Sequence, residues 1–320
     1  MNGHDILIIG GTGSLGKALV TEIFNSHQPK SITIFSRNEY NQWLMLNEFS
    51  SHKSKLSFVL GDVRDKEAIQ HVMKNKSIVF NLSAIKHVPN CETNLEESVK
   101  TNVNGALNSV DSVTDQSIII HTSTDKAVYP ISNYGVTKSL AEKIILNGGS
   151  HHRGTKFHCI RFGNFVGSSG SVIELFKKQI KNNEEITLTN PQMSRFWISL
   201  SEAAKFCLEI APSSENSAIF VPKMVKWSMD DLVQTLKNNI NYHVNCSSKI
   251  RIIGDRKGEK LHEVLFHEDE FLRIKDCGTY YKTTKEIQSP QEFFEMNNSS
   301  EYMRLTPEQI KEYLQKAGVV

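Results

Sequence analysis

The sequence has no apolar run approaching the roughly 20 residues of a membrane-spanning helix, so no such span is expected. It has no CxxC pair. Cys91, Cys159, Cys207, Cys246 and Cys277 are odd in number and widely spaced, which points to reduced thiols rather than a disulfide frame. It has no excess of one charge. Charged residues make up 22% and the formal net charge is +2, too balanced to mark a surface for duplex nucleic acid and too low for a disordered chain. No HxxxH or Cys/His cluster supports a metal site; the adjacent pair His151-His152 would not face one ligand from a helix. There is no internal repeat and no low-complexity tract. The first residues, Met1-Asn2-Gly3-His4-Asp5, run into a strand-like segment without a basic stretch or cleavage site. With the reduced thiols, this predicts a cytoplasmic protein.

What is present is an ordinary globular composition, 39% apolar over 320 residues, enough for a sizeable core and a prior of about two domains. Short, nearly continuous apolar runs recur at Ile6–Ile9, Ile32–Phe35, Leu56–Leu60, Ile78–Leu82, Ile118–His121 and Phe157–Arg161. Such runs suit strands buried on both faces of a parallel sheet. Helix-sized segments such as Ser14–Asn25 and Lys66–Lys74 separate them. The alternation predicts an α/β fold, a doubly wound parallel (Rossmann) sheet with a smaller C-terminal domain. After Arg161 the pattern loosens into a Gly- and Ser-rich stretch, 163–170. Further strands are expected at Ala218–Val221 and Ile250–Ile253, and helices at Ser201–Ile210, Met229–Asn238 and from Thr306. The polar segment Thr283–Tyr302 reads as loop. The predicted division is residues 1–165, with return segments from the second half, and residues 166–320.

Gly10-Gly11-Thr12-Gly13-Ser14-Leu15-Gly16 follows the first strand and opens the first helix, the context a dinucleotide-binding turn requires. Gly10 allows the tight turn, Gly13 lets backbone approach a pyrophosphate, and Gly16 lets the helix pack closely. The second strand ends Ser36-Arg37-Asn38-Glu39. A hydroxyl and a guanidinium suit a 2′-phosphate, so NADP is the favoured cofactor; Glu39 leaves NAD as the alternative. Asp62-Val63, after the third strand, is placed to flank adenine, or Asp62 simply caps a turn.

Tyr134 and Lys138 have YxxxK spacing, which puts both on one helix face. A buried lysine together with an oxidised nicotinamide would favour the tyrosinate. Upstream, the apolar strand stops at Ile120 or His121. Thr124, Asp125 and Lys126 are therefore expected just past its carboxyl end, where open α/β sheets bind ligands. A neighbouring carboxyl and amine can perform opposite proton transfers, or form a surface ion pair.

With these residues the chain resembles the extended short-chain dehydrogenase/reductase superfamily over essentially its whole length. Within it, the chain is most similar to the soluble UDP-N-acetylglucosamine 4,6-dehydratases of the 5-inverting type that begins pseudaminic acid synthesis. The resemblance rests on GGTGSLG at 10–16, SRNE at 36–39, SAIKHVPNCE at 83–92, KTNVNG at 100–105 and STDKAVYPISNYGVTK at 123–138. It continues in RFGNFVGSSGSVI at 161–173, MSRFWISL at 193–200, VPKM at 221–224 and GEKLHE at 258–263. Asp125-Lys126 is the discriminating pair: 4-epimerases usually have a serine-rich segment there, and dTDP-glucose dehydratases have Asp-Glu. Tyr134 favours the inverting group.

The resemblance implies that Tyr134 takes the proton of the sugar 4-hydroxyl as C4 is oxidised, with Thr124 bonding near O4. Lys126 then takes the C5 hydrogen and Asp125 protonates the departing 6-hydroxyl, although which of the two is acid and which base stays open. Lys138 holds the nicotinamide ribose and lowers the tyrosine pKa. Leu82, Ala84, Lys86 and Asn102 join the cofactor set. Lys86, His87, Asn164, Ser168, Val172, Arg195, Arg256 and Glu259 form the UDP-sugar set, Arg195 and Arg256 gripping the diphosphate. His87 could instead be structural, and either arginine an internal salt bridge. A homo-oligomer is implied. The rival readings are a UDP-sugar 4-epimerase or reductase, and a silent NADP(H)-binding regulator.

Overall fold

Buried, β-branched sequence dictates the central layer. A computed structural model describes residues 1–114, 116–152, 154–240, 248–287, 297–299 and 304–320. Its strands are β1 Asp5–Ile9, β2 Ser31–Ser36, β3 Leu56–Leu60, β4 Ile78–Asn81, β5 Ile118–Thr124, β6 Lys156–Phe162 and β7 Asn164–Val166. They continue with β8 Ile186–Leu188, β9 Ser194–Ser199, β10 Ala218–Pro222, β11 Val225–Ser228, β12 Ile250–Ile252, β13 Ile274–Asp276 and β14 Tyr280–Thr283. The large sheet has the order β13-β14-β10-β6-β5-β4-β1-β2-β3. From β3 to β10 every pairing is parallel; β14 and β13 return antiparallel at the edge. The expected doubly wound α/β fold is therefore present.

Strand alternation divides the core into two layers. Ile6 and Ile8 of β1 face the helices Ser14–Ser26 and Leu200–Ile210 through Leu19, Ile23, Ala204 and Phe206. Leu7 and Ile9 face the other side, where Ile69, Val110, Ala141 and Ile145 come from the helices Lys66–Met73, Gly105–Asp111 and Asn133–His151. A third core belongs to the second half of the chain. It packs the helices Val172–Lys181, Met229–Asn239 and Pro307–Lys316 on the small sheet β11-β9-β7, around Trp197 stacked on Trp227 at 5.1 Å. Thr306 caps the last helix by accepting from the Gln309 N–H. Among the described residues no helix is long and apolar enough to cross a membrane. Cys91, Cys159, Cys207 and Cys277 are free thiols; Cys246 and much of the segment expected as loop at 283–302 lie outside the described residues.

One boundary differs in a way that matters to function. The strand expected to stop near His121 runs on to Thr124, which pairs with Phe162 of β6. Hydropathy ends early because His121 to Thr124 are polar, but their backbone ladder continues and they remain largely buried. Thr124 is thus the last strand residue rather than a residue beyond it. Asp125 and Lys126 occupy a 3-10 turn, Asp125–Ala127, directly after it.

Candidate active site

The glycine turn at the end of β1 builds one end of the site from backbone alone. Gly10 has φ +75°, and a Cβ there would stand 2.9 Å from the Ser83 nitrogen. A Cβ on Gly16 would stand 2.2 Å from the Gly11 carbonyl oxygen. Gly13 precedes the helix Ser14–Ser26 without any side-chain cap, leaving first-turn amides for a ligand anion. These residues open on a cavity of about 520 Å³, within the range of cofactor sites. Gly10, Thr12, Gly13, Ser14, Leu15, Gly16, Ser36, Arg37, Val63, Leu82, Ala84 and Lys86 all line it. The cradle therefore fits a dinucleotide.

Of the expected cofactor residues, Asp62, Asn102, Tyr134 and Lys138 are not among those lining it. Asp62 is held by Arg64 at 2.6 Å, with Arg37 at 3.8 Å. Burial pushes the Asp62 carboxyl up, but the Arg64 hydrogen bonds and charge outweigh it and hold it below the ordinary value. Asn102 is buried; its side chain bonds both the N–H and the carbonyl of Ile85 and donates to Thr137, so it braces the wall. Asn38, Asn41 and Thr122 line the cavity without having been singled out from sequence.

The chemical centre lies where β5 meets the helix Asn133–His151. Thr124 Oγ1 donates to Asp125 Oδ1 at 2.9 Å, and Lys126 Nζ donates to the same oxygen at 3.0 Å and to Asn164 Oδ1 at 3.1 Å. Asp125 is fully buried, and among the described residues its Oδ2 has no hydrogen-bond partner. Ser132 caps the helix, and Gly135 lets it press onto the turn: a Cβ there would stand 2.3 Å from the Lys126 carbonyl oxygen. Tyr134 is thereby brought to a cleft of about 220 Å³ shared with Thr124, Lys126, Asn164, Lys86 and His87.

Tyr134 and Lys138 share a helix, but their environments oppose the expected depression of the phenol. Burial pushes the Tyr134 hydroxyl above its usual range, and the Thr124 hydrogen bond only partly offsets that. Lys138 is 2% exposed, and burial pushes its ammonium down to about 8. Its Nζ donates to the Thr122 carbonyl at 2.5 Å and lies 2.9 Å from His121 Nε2. Burial, then the charge of Lys138, keeps His121 neutral and able to accept.

The sugar-side cavity, about 240 Å³, is lined by Lys126, Asn164, Val172, Arg195, Arg256 and Glu259. Three of these also line the Tyr134 cleft, so the two spaces adjoin. Arg195 is buried and donates to the carbonyls of Ser194 and Leu261, whereas Arg256 is half-exposed and stands 3.7 Å from Glu259. Ser168 lines the cofactor cavity and the cleft instead. Lys86 donates to the Ser169 carbonyl, and a Cβ on Gly170 would stand 2.8 Å from the His87 ring, so this loop closes against both. Sequence reading missed His121 and Glu263. A polar residue inside an apolar strand is the signal that marks His121; Glu263 has no local signal.

Comparison with known proteins agrees with this architecture. The polysaccharide biosynthesis protein family matches residues 6–285. A Campylobacter jejuni UDP-N-acetylglucosamine 4,6-dehydratase (inverting) is 37% identical over 291 residues, 89% of this chain and 84% of that protein. A Rickettsia bellii UDP-glucose 4-epimerase is 37% identical over 284 residues, 87% of this chain and 82% of that one. The X-ray structure of Pen from Bacillus thuringiensis superposes with TM-score 0.93 and 32% identity, covering 100% of this chain and 99% of that one.

Proposed function

From the premise that the chain belongs to the polysaccharide biosynthesis protein family, with the extended short-chain dehydrogenase/reductase fold, we propose that it is a UDP-N-acetylglucosamine 4,6-dehydratase that inverts C5. The observation that carries this reading is the Asp125–Lys126 pair set against the same cleft as Tyr134. A 4-epimerase needs one proton-transferring group at C4. Eliminating water across C5 and C6 needs two more, and the paired carboxyl and amine supply them.

NADP is the proposed cofactor. Uncommitted amides of the helix Ser14–Ser26 would hold its pyrophosphate, and Ser36 with half-exposed Arg37 would hold its 2′-phosphate. When bound, the nicotinamide supplies a reversible two-electron acceptor, so oxidation at C4 and reduction at C6 leave no net redox change. Tyr134, bonded to Thr124, takes the 4-hydroxyl proton. Its phenol is raised by burial, so it needs positive charge nearby to ionise, and Lys138 lies on the same helix face. Lys126 reaches both cavities and takes the C5 proton; Asp125, protonated, passes its proton to the departing 6-hydroxyl, and C5 is reprotonated once C6 has been reduced. Asn164, Val172, Arg195, Arg256 and Glu259 hold the UDP-sugar, with Lys86, His87 and Ser168 over it. Residues 1–165, with β10, β13 and β14, serve the dinucleotide, and 166–320 mainly serve the sugar nucleotide. A cytoplasmic setting and a homo-oligomer belong to the same reading.

The test is incubation with UDP-N-acetylglucosamine. Loss of one water, a new C6 methyl resonance and deuterium at C5 from heavy water support the reading. A product that keeps its 6-hydroxyl supports the epimerase instead.

A further inference from the structure

Glu263 has no role in the mechanism above, yet it sits where two parts of the site meet. It ends the segment that brings Arg256 and Glu259 to the sugar-side cavity, and it lines that cavity itself. Its residue exposure is 1%. Its backbone is fixed from both sides by Ser299: the Glu263 N–H donates to Ser299 Oγ and its carbonyl accepts from the Ser299 N–H, each at 2.9 Å. Oε1 lies 3.8 Å from Lys126 Nζ. Oε2 lies 3.1 Å from Lys260 Nζ, which donates to the Val128 carbonyl at 2.5 Å. A carboxylate this buried is tolerated only when paired, and here two lysines pair it.

We propose that Glu263 is a positioning residue for Lys126: its carboxylate draws the amine to the junction of the Tyr134 cleft and the sugar-side cavity. The consequence for turnover rests on the dehydratase reading; the contact does not. A lysine stem is long and flexible, so one anchor leaves its head group free to wander. Lys126 has three anchors from three elements: Asp125 in its own turn, Asn164 on β7, and Glu263 from the opposite lobe. The other ionisable groups bordering its two cavities are Tyr134, His87 and Lys86 on one side, and Arg195, Arg256 and Glu259 on the other. Among the described residues, only Asp125 and Glu263 place a carboxylate within 4 Å of Nζ.

The experiment is the acylation of Lys126 by trace acetic anhydride at one fixed pH, read by peptide mass spectrometry, with exposed Lys205 as internal reference. In Glu263→Gln the ratio of Lys126 to Lys205 labelling at one fixed pH should rise about threefold, because a second carboxylate no longer holds the amine. In the turnover assay kcat should fall about 10-fold with KM within about twofold, and Glu263→Asp should restore part of kcat. Lys260→Met leaves the carboxylate to Lys126 alone, so it should lower that labelling ratio. If Glu263→Gln does not fold, this variant decides. An unchanged Lys126 labelling ratio in the folded variants overturns the proposal, whatever happens to melting temperature. The labelling needs no substrate, so a wild-type enzyme that forms no methyl product would sink the dehydratase reading while the acylation still judges Glu263.

Discussion

The nucleotide end and the sugar end of the cleft are built on different principles. The first is a contiguous backbone turn, Gly10 to Gly16, whose working parts are missing Cβ atoms and free amides. The second is a set of side chains from distant segments: Lys126 after β5, Asn164 on β7, Arg195 on β9, and Arg256 to Glu263 beyond β12. A backbone site is broken by adding atoms, and a side-chain site by removing them. The contrast yields graded tests.

The largest effect should come from adding atoms at the backbone end. Gly16→Val must displace the Gly11 carbonyl, 2.2 Å from the new Cβ. Dinucleotide affinity, measured by calorimetry, should fall about 100-fold, roughly 3 kcal/mol. Affinity within a few-fold of wild type would remove the backbone account of this end. Next comes Arg37, the side chain proposed to favour NADP. Arg37→Ala should weaken NADP by about 30-fold, some 2 kcal/mol for a charge-assisted pair, and hardly change NAD. Equal losses for both cofactors would shift the assignment to Glu39.

At the sugar end the two arginines should part company. Arg256, half-exposed, should when changed to Ala raise KM for the UDP-sugar about 10-fold with kcat kept. Arg195, buried on two carbonyls, should when changed to Ala lower the melting temperature as well. Identical behaviour would mean that burial does not separate their roles. The smallest effect is a pH dependence placed in the large sheet. Among the described residues neither ring nitrogen of His158 has a hydrogen-bond partner, and burial holds its pKa down to about 4. The unfolded chain takes up this proton below about pH 6.5 and the folded chain does not. Its stability contribution is therefore intact above pH 6.5 and lost as pH falls towards 4, about 1 kcal/mol by pH 5.5. Denaturant titrations at pH 7 and 5.5 check this; His158→Leu should flatten the acid limb.

Legibility in the sequence follows the same division. The glycine turn, the succession of strands along the chain and the two-sided burial of β1 could be read because each is local: a contiguous motif, or a run of apolar residues. The end of β5 was misjudged because hydropathy reports burial among apolar groups. His121 to Thr124 are buried among polar partners such as Lys138. Lys126 was visible as half of a pair, but its partners Asn164 and Glu263 lie far along the chain, joined only by the fold. The YxxxK spacing put Tyr134 and Lys138 on one helix correctly. It could not reveal that the lysine bonds His121 and Thr122, or that burial raises the phenol.

The most direct test of the central claim is a single turnover of Lys126→Ala with UDP-N-acetylglucosamine, followed by the near-ultraviolet absorbance of reduced nicotinamide. The account predicts that oxidation at C4 proceeds, because Tyr134 is untouched. Reduced cofactor should accumulate, and methyl product should form about 100- to 10,000-fold more slowly than in wild type. Turnover to the methyl product at nearly the wild-type rate would contradict it and make Lys126 a structural residue.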